Sequence, residues 1–235
     1  MGIDKMASEM KFDTEIATEY DRGVRRTLPT YDQMLRLSQT FLRANLKEDA
    51  SILVIGGGGG NELKAFGPTN PGWTFTAVDP SKPMLKVAKL KAEQLGIDDR
   101  VELINGTITD VPKEATFDGG TCILVLHFIT DVAEKLALLK KMRSHLKPGA
   151  PFVLVSKFGD TEDPEFKELV NLWKNYWIDT TSMSEEKVLE LMKGTFTEAS
   201  ITEEKLRELL ADAGFHRVAN FLKTNHFGGW ICHAK

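Results

Sequence analysis

The chain has 235 residues, 42% of them hydrophobic, which suits one α/β domain with a sizeable core. Its 30 Lys and Arg against 34 Asp and Glu leave a net charge of −4, so the whole molecule gains nothing from a polyanion and no nucleic-acid partner is expected. The longest apolar run, Cys122–Leu126, is far too short to cross a bilayer, and Met1-Gly-Ile-Asp-Lys has no apolar signal core, so no membrane partner and a cytoplasmic location are expected.

In chain order, Tyr20-Asp-Arg-Gly-Val-Arg25-Arg26-Thr-Leu-Pro29-Thr-Tyr31 reads as an N-terminal arm carrying two aromatics, three arginines and a proline. Apolar spacing predicts a helix over Thr30–Leu46. Ser51–Ile55 then has the apolar run of a buried parallel strand. It feeds five consecutive glycines, Gly56–Gly60, and a helix over Asn61–Phe66. Trp73-Thr-Phe-Thr-Ala-Val-Asp79 is a second strand, ending in a carboxylate. Helices are predicted at Lys82–Leu95 and Asp131–His145, the second with Asp131 as N-cap and Glu134 three residues on. Phe158–Ser200 reads as an insertion with helical periodicity over Glu165–Trp177 and Ser184–Lys193; spacing puts Trp173, Tyr176 and Trp177 on one helix face. A last helix, Glu203–Ala213, has Thr202 as N-cap and Gly214 as its C′ residue. The clusters Lys86–Lys91 and Lys140–Arg143 lie on predicted helices and read as solvated faces. Cys122 and Cys232 fall inside predicted strands and read as reduced, buried thiols. No Pro/Gly/Ser-rich linker divides the chain. One domain over 1–235 is therefore expected: arm and helix 1–46, core 51–157, helical insertion 158–200, and C-terminal helix and strands 201–235.

The chemistry concentrates at the glycines. Such a turn brings bare backbone N–H groups and a helix N-terminus up to a ligand, which suits an anionic group. Asp79 follows about 20 residues later, the spacing used to hold a ribose hydroxyl pair at the mouth of a βαβ unit. The dinucleotide pattern G-x-G-x-x-G does not fit, because its last glycine falls on Asn61, Glu62 or Leu63 in the three possible frames. The Walker pattern fails too, since Lys64 follows Leu63 rather than a glycine. What fits is G-x-G-x-G at Gly56, Gly58 and Gly60. In this spacing, and in the acidic end of the second strand, the chain resembles the class I S-adenosylmethionine (SAM)-dependent methyltransferases.

The resemblance runs from about Tyr20 to the C-terminus. Val101–Pro112 looks like the third strand and the adenine-contacting turn, Phe117–Phe128 like the fourth strand and its reactive-face end, and Leu146–Ser156 like the junction into the fifth strand. His216–Lys223 and His226–His233 look like two C-terminal strands. The implied fold is Rossmann-like: a doubly wound, mostly parallel seven-stranded sheet with helices on both faces, the last strand antiparallel, plus a helical lid. The implied cofactor is SAM, with S-adenosylhomocysteine (SAH) as product. The positions matching its site are Gly56, Gly57, Gly58, Gly60, Glu62, Asp79, Pro80, Met84, Thr107, Ile108 and Leu126, with Met84 and Ile108 sandwiching the adenine. Arg26 joins them, because such an arm folds over the SAM pocket with an arginine toward the methionine carboxylate. Tyr20, Arg25, Tyr31, Trp173 and Trp177 are the expected substrate pocket. Two positions depart from the family. Val54 stands where many members carry an acid, and Thr107 where many carry an Asp.

His127, at the end of the fourth strand, is the candidate general base, since an unperturbed imidazole titrates near neutrality. His216, His226 and His233 show no metal-ligand spacing among themselves or with the cysteines, so no metal is expected. The resulting expectation is in-line methyl transfer to a small-molecule acceptor by a monomer or homodimer. Phe128 through Lys157-Phe158, and Phe215…Asn225-His-Phe-Gly-Gly, also resemble the carboxy-SAM synthases that serve tRNA modification. A synthase of that kind and a non-catalytic SAM-binding protein are the alternatives.

Overall fold

Seven strands make one sheet: β1 (Ser51–Ile55), β2 (Thr74–Asp79), β3 (Val101–Asn105), β4 (Gly119–Ile123), β5 (Pro151–Lys157), β6 (Phe215–Thr224) and β7 (Phe227–Ala234), in the order β3-β2-β1-β4-β5-β7-β6. The computed structural model describes residues 14–193 and 197–235, so the start of the expected arm and positions 194–196 of the insertion lie outside the described residues. Neighbours from β3 to β5 pair in parallel, with Ile55 opposite both Val78 and Cys122, while β7 runs antiparallel to β5 and to β6. The strand order reverses direction at β1, so the carboxyl ends of β1 and β4 frame the crevice where ligands of open α/β sheets bind.

Successive side chains of β1 go to opposite faces. Ile52 and Val54 join one core, with Leu42, Phe66, Trp73 and Phe75; Leu53 and Ile55 join the other, with Leu139, Met142, Phe152 and Trp230. Each such fully buried large side chain contributes about 1.5–3 kcal/mol relative to exposure. Both cysteines are free and buried, as expected.

The helices are α1 (Thr14–Thr27), α2 (Tyr31–Asn45), α3 (Asn61–Phe66), α4 (Lys82–Leu95), α5 (Val132–Ser144), α6 (Pro164–Thr181), α7 (Glu185–Lys193) and α8 (Glu203–Asp212) among the described residues. Ser81, Asp131, Asp163 and Thr202 cap α4, α5, α6 and α8 with side-chain oxygens that accept backbone N–H bonds. Gly214, with φ +93°, ends α8 as its composition suggested.

Three expectations change. The arm is helical, and α1 stops before Pro29, whose ring disfavours helical backbone at Leu28. The fourth strand ends at Ile123, because Leu124 takes φ +60° and Leu126–Phe128 coil into a 3-10 turn; His127 sits in that turn, not on a strand. Lys91 is not on a solvated face: its side chain is 15% exposed and reaches back to α1.

Candidate active site

The glycine turn is built by backbone conformations that a side chain resists. Gly56 and Gly60 have φ +75° and +65°, and Gly57–Gly59 form a 3-10 turn between them. Space forbids a side chain at Gly58 as well, because a Cβ there would lie 2.5 Å from Asp79 Oδ2 and 2.6 Å from Met84 Cβ. That closeness is used: the Gly58 N–H donates to Asp79 Oδ2 at 3.0 Å and the Ser81 N–H donates to Oδ1 at 2.8 Å. Asp79 is thereby pinned at the carboxyl end of β2, facing the loop. Burial pushes its pKa up, against these two hydrogen bonds.

Glu62 opens α3 and is 5% exposed. Burial raises its pKa to about 7, with Asp79 adding to the shift and Lys91 opposing it. Among the described residues neither Glu62 nor Asp79 forms an ion pair. Two desolvated carboxylates at a glycine turn that opens a helix suit a ligand carrying an ammonium and a hydroxyl pair. SAM has that donor and acceptor set. Val54, at the family's acidic position, is fully buried, and a Cβ on Gly57 would come within 3.0 Å of it. Thr107 is absorbed locally: its N–H donates to Asp110 Oδ2 at 2.7 Å and its Oγ1 accepts from the Thr109 N–H, closing a capping box over Ile108–Asp110. Met84, Ile108 and Leu126 are buried at 5%, 2% and 1% exposure, whereas Pro80 is exposed.

Helix α1 lies over this turn. A Cβ on Gly59 would touch the Tyr20 ring at 3.2 Å. Burial and the carboxylates of Glu62, Asp79 and Asp21 hold the Tyr20 phenol protonated far above neutral pH. Lys91 Nζ donates to Asp21 Oδ1 at 3.1 Å, Gly59 O at 2.8 Å and Asn61 Oδ1 at 2.7 Å, tying helix, loop and α3 together.

Tyr20 also lines a cavity of about 620 Å³. Its lining includes Arg26 and Leu28 from the arm, Leu124, His127 and Phe128 past β4, Lys157 at the end of β5, Trp173, Trp177 and Met183 from the insertion, and Phe227. Of the expected pocket residues, Tyr20, Trp173 and Trp177 are brought together there. Arg25 and Tyr31 are not among the lining residues. Arg25 pairs with Asp21 at 2.6 Å and Asp32 at 2.9 Å, joining α1 to α2, and the Tyr31 hydroxyl accepts from Asn61 Nδ2 at 3.0 Å inside the core. Arg26, expected toward the cofactor, is among the residues lining this cavity.

His127 is 4% exposed, with Nδ1 3.5 Å from Ser156 Oγ and its ring against Phe128. Burial, then the charges of Lys157, Lys135 and His226, holds its pKa well below the ordinary histidine range, so the imidazole is neutral. Lys135 supports that turn from beneath by donating to the carbonyls of Leu126 and Ile129. The residues that sequence reasoning passed over are Lys157 and Lys91. Lys157 is 3% exposed, with Nζ 4.6 Å from the centre of the Trp173 ring, and burial lowers its pKa to about 7. The signal was a lysine closing the apolar run Phe152–Val155, where a solvated charge has no room.

Residues 53–152 match a methyltransferase domain family. The chain is 22% identical over 231 residues to a carboxy-S-adenosyl-L-methionine synthase of Desulfotalea psychrophila, covering 96% of this chain and 92% of the relative. It is 28% identical to the synthase of that name from Colwellia psychrerythraea, covering 94% and 90%. In fold it is similar to an O-methyltransferase family 2 protein from Planctomyces limnophilus in complex with apigenin, with TM-score 0.62 and 21% identity, covering 92% of this chain and 61% of that one. An O-methyltransferase family protein from Burkholderia thailandensis gives TM-score 0.62 at 16% identity, covering 97% and 62%. Among the described residues no helix is long and apolar enough to cross a membrane.

Proposed function

We propose that this chain, whose residues 53–152 match a methyltransferase domain and whose fold is that of methyltransferases, holds SAM over Gly56–Gly60 and methylates a small molecule seated in the cavity that Tyr20 lines. The observation that carries this reading is a shared residue: Tyr20 both packs against the glycine turn and lines the acceptor-sized cavity. Asp79 accepts from the ribose hydroxyls, and Glu62 meets the ammonium end. When bound, SAM supplies a methyl on a sulfonium, already activated for displacement. The chain's own task is alignment and exclusion of water, which proximity and orientation reward most. Tyr20, Leu124, Phe128 and Trp173 do this as apolar walls. His127, neutral and on the same wall, receives the acceptor's proton where the acceptor carries one.

The near full-length likeness to carboxy-SAM synthases favours a second reading, in which a carboxylated SAM is the ligand or product. Mass spectrometry of what co-purifies separates the two: SAM or SAH supports methyl transfer, and carboxy-SAM supports the second reading. Thermal denaturation with SAH tests the cofactor assignment directly. A ligand bound only to the native state adds about 2.7 kcal/mol at a hundredfold excess over Kd. No shift with SAH would overturn the proposal.

A further inference from the structure

The cavity wall is one-sided in its chemistry. Among the described residues its charged lining residues are Arg22, Arg26, Lys157 and Lys187 against the carboxylate of Glu19. Arg22 and Glu19 meet at 4.0 Å, and Lys187 is engaged by Glu190 at 2.9 Å. Arg26, among the described residues, has no ion pair within 4.0 Å. Lys157 donates to Thr197 Oγ1 at 3.2 Å and lies over the Trp173 ring at the cavity. A third donor adds to these: the buried indole Nε1 of Trp177 finds no acceptor among the described residues, although Trp177 itself lines the cavity. The threonine hydroxyls that line it are committed, since Thr27 donates to the Gly23 carbonyl at 3.1 Å and Thr181 to the Trp177 carbonyl at 2.6 Å. The rest of the wall is aromatic or aliphatic, with Tyr20, Leu28, Phe128, Trp173, Met183 and Phe227 prominent. An excess of cationic groups on an otherwise apolar wall, with Lys157 buried and Arg26 exposed at the rim, suits a ligand that brings an anion on a flat apolar body.

We propose that the methyl acceptor is an aromatic or similarly apolar acid, whose carboxylate is received by Lys157 and Arg26 while its ring packs between Tyr20 and Trp173. This rests on the small-molecule methyltransferase reading and adds the substrate class to it. The arrangement also carries a proton signature. Lys157 is faced by His127 from the turn after β4, His226 from the β6–β7 turn and Glu198 from the turn after α7, with Lys187 of α7 and Arg26 of α1 on the same cavity. His127 and His226 are neutral at pH 8, because burial holds both well below the ordinary histidine range. Lys157, lowered to about 7, is largely neutral there as well. A carboxylate set beside it favours the ammonium, so binding at pH 8 takes up a proton.

The test is calorimetric titration of the SAH-loaded protein with matched pairs, 4-hydroxybenzoate against 4-hydroxybenzamide and ferulate against its primary amide. SAH affinity is measured first, so that failure to bind SAH is read against the methyltransferase assignment and not against this inference. With SAH bound, each acid is expected to bind about tenfold or more tightly than its amide. Lys157→Met and Arg26→Ala each lower acid affinity about tenfold while leaving amide affinity and SAH affinity within about twofold, and Lys157→Arg restores most of the loss. Titration at pH 8 in Tris and in phosphate, buffers of different ionisation enthalpy, shows proton uptake with the acids that disappears in Lys157→Met. Equal binding of acid and amide, binding of neither, or equal weakening of both by Lys157→Met overturns the inference. Lys157-dependent binding of carboxy-SAM to the unloaded protein, with the acids failing, would place the carboxylate on the cofactor and overturn it too.

Discussion

The indole N–H of Trp173 donates to the main-chain oxygen of Thr27 at 2.7 Å, joining the insertion to the N-terminal arm across 146 residues of sequence. Thr180 repeats the link two turns on, its hydroxyl donating to Arg26 O at 3.0 Å. The two segments therefore cover the cavity as one body. Trp173→Phe keeps an aromatic ring beneath Lys157 and removes the donor, so it should cost about 1–2 kcal/mol and speed hydrogen exchange across α1. Removal of residues 1–27 should abolish methyl transfer and weaken SAH binding while the core stays folded. Leu28 and Tyr31, at 2% and 3% exposure, are core residues and mark where such a cut must stop. A truncated protein that methylates at the normal rate would end the idea that the arm is part of the cover.

Asp79 and Gly58 are one device, since the glycine's N–H holds the carboxylate and its missing Cβ makes room for it. Asp79→Ala should remove most of the SAH-induced rise in melting temperature. Gly58→Ala must displace the carboxylate or Met84, and should remove a similar share through geometry alone. Thermal scans with and without SAH check both, and an undiminished shift in either variant counts against the ribose role of Asp79.

Glu62 makes stability depend on pH. Its folded pKa, about 7, is raised from 4.5, so the native state binds more protons than the unfolded state between those values. Stability from this group is therefore present at low pH and is lost as pH rises through the window, with the full penalty above pH 7. Glu62→Gln should match the parent near pH 5 and exceed it at pH 8, by an amount on the order of 3 kcal/mol. Urea denaturation at the two pH values measures the difference, and the expectation fails if the gap does not widen with pH.

His127 is neutral throughout the range near pH 7 because its pKa lies well below the ordinary value. The rate of SAH formation should consequently show no inflection near pH 6.5. His127→Asn should lower kcat by roughly a hundredfold with an acceptor that loses a proton. A loss under about fivefold would make it a wall residue only.

Much of this was legible from residue order. Ser51–Ile55 with Gly56–Gly60, and Trp73–Asp79 after it, carry their meaning locally: a buried strand, a turn only glycine tolerates, and a carboxylate at a set distance. Helices at 61–66 and 82–95 were recoverable for the same reason, since periodicity and caps are short-range properties. Tertiary structure decided the rest. The roles of Arg25, Arg26, Lys91 and Lys157 depend on which distant groups surround each cation. Arg25 met Asp21 and Asp32, Lys91 met Gly59 O, and Lys157 was carried into an aromatic wall assembled from the end of β5, α6 and β7. Charge and burial at one position are set by neighbours that only folding brings within a few ångströms, and no local pattern encodes them.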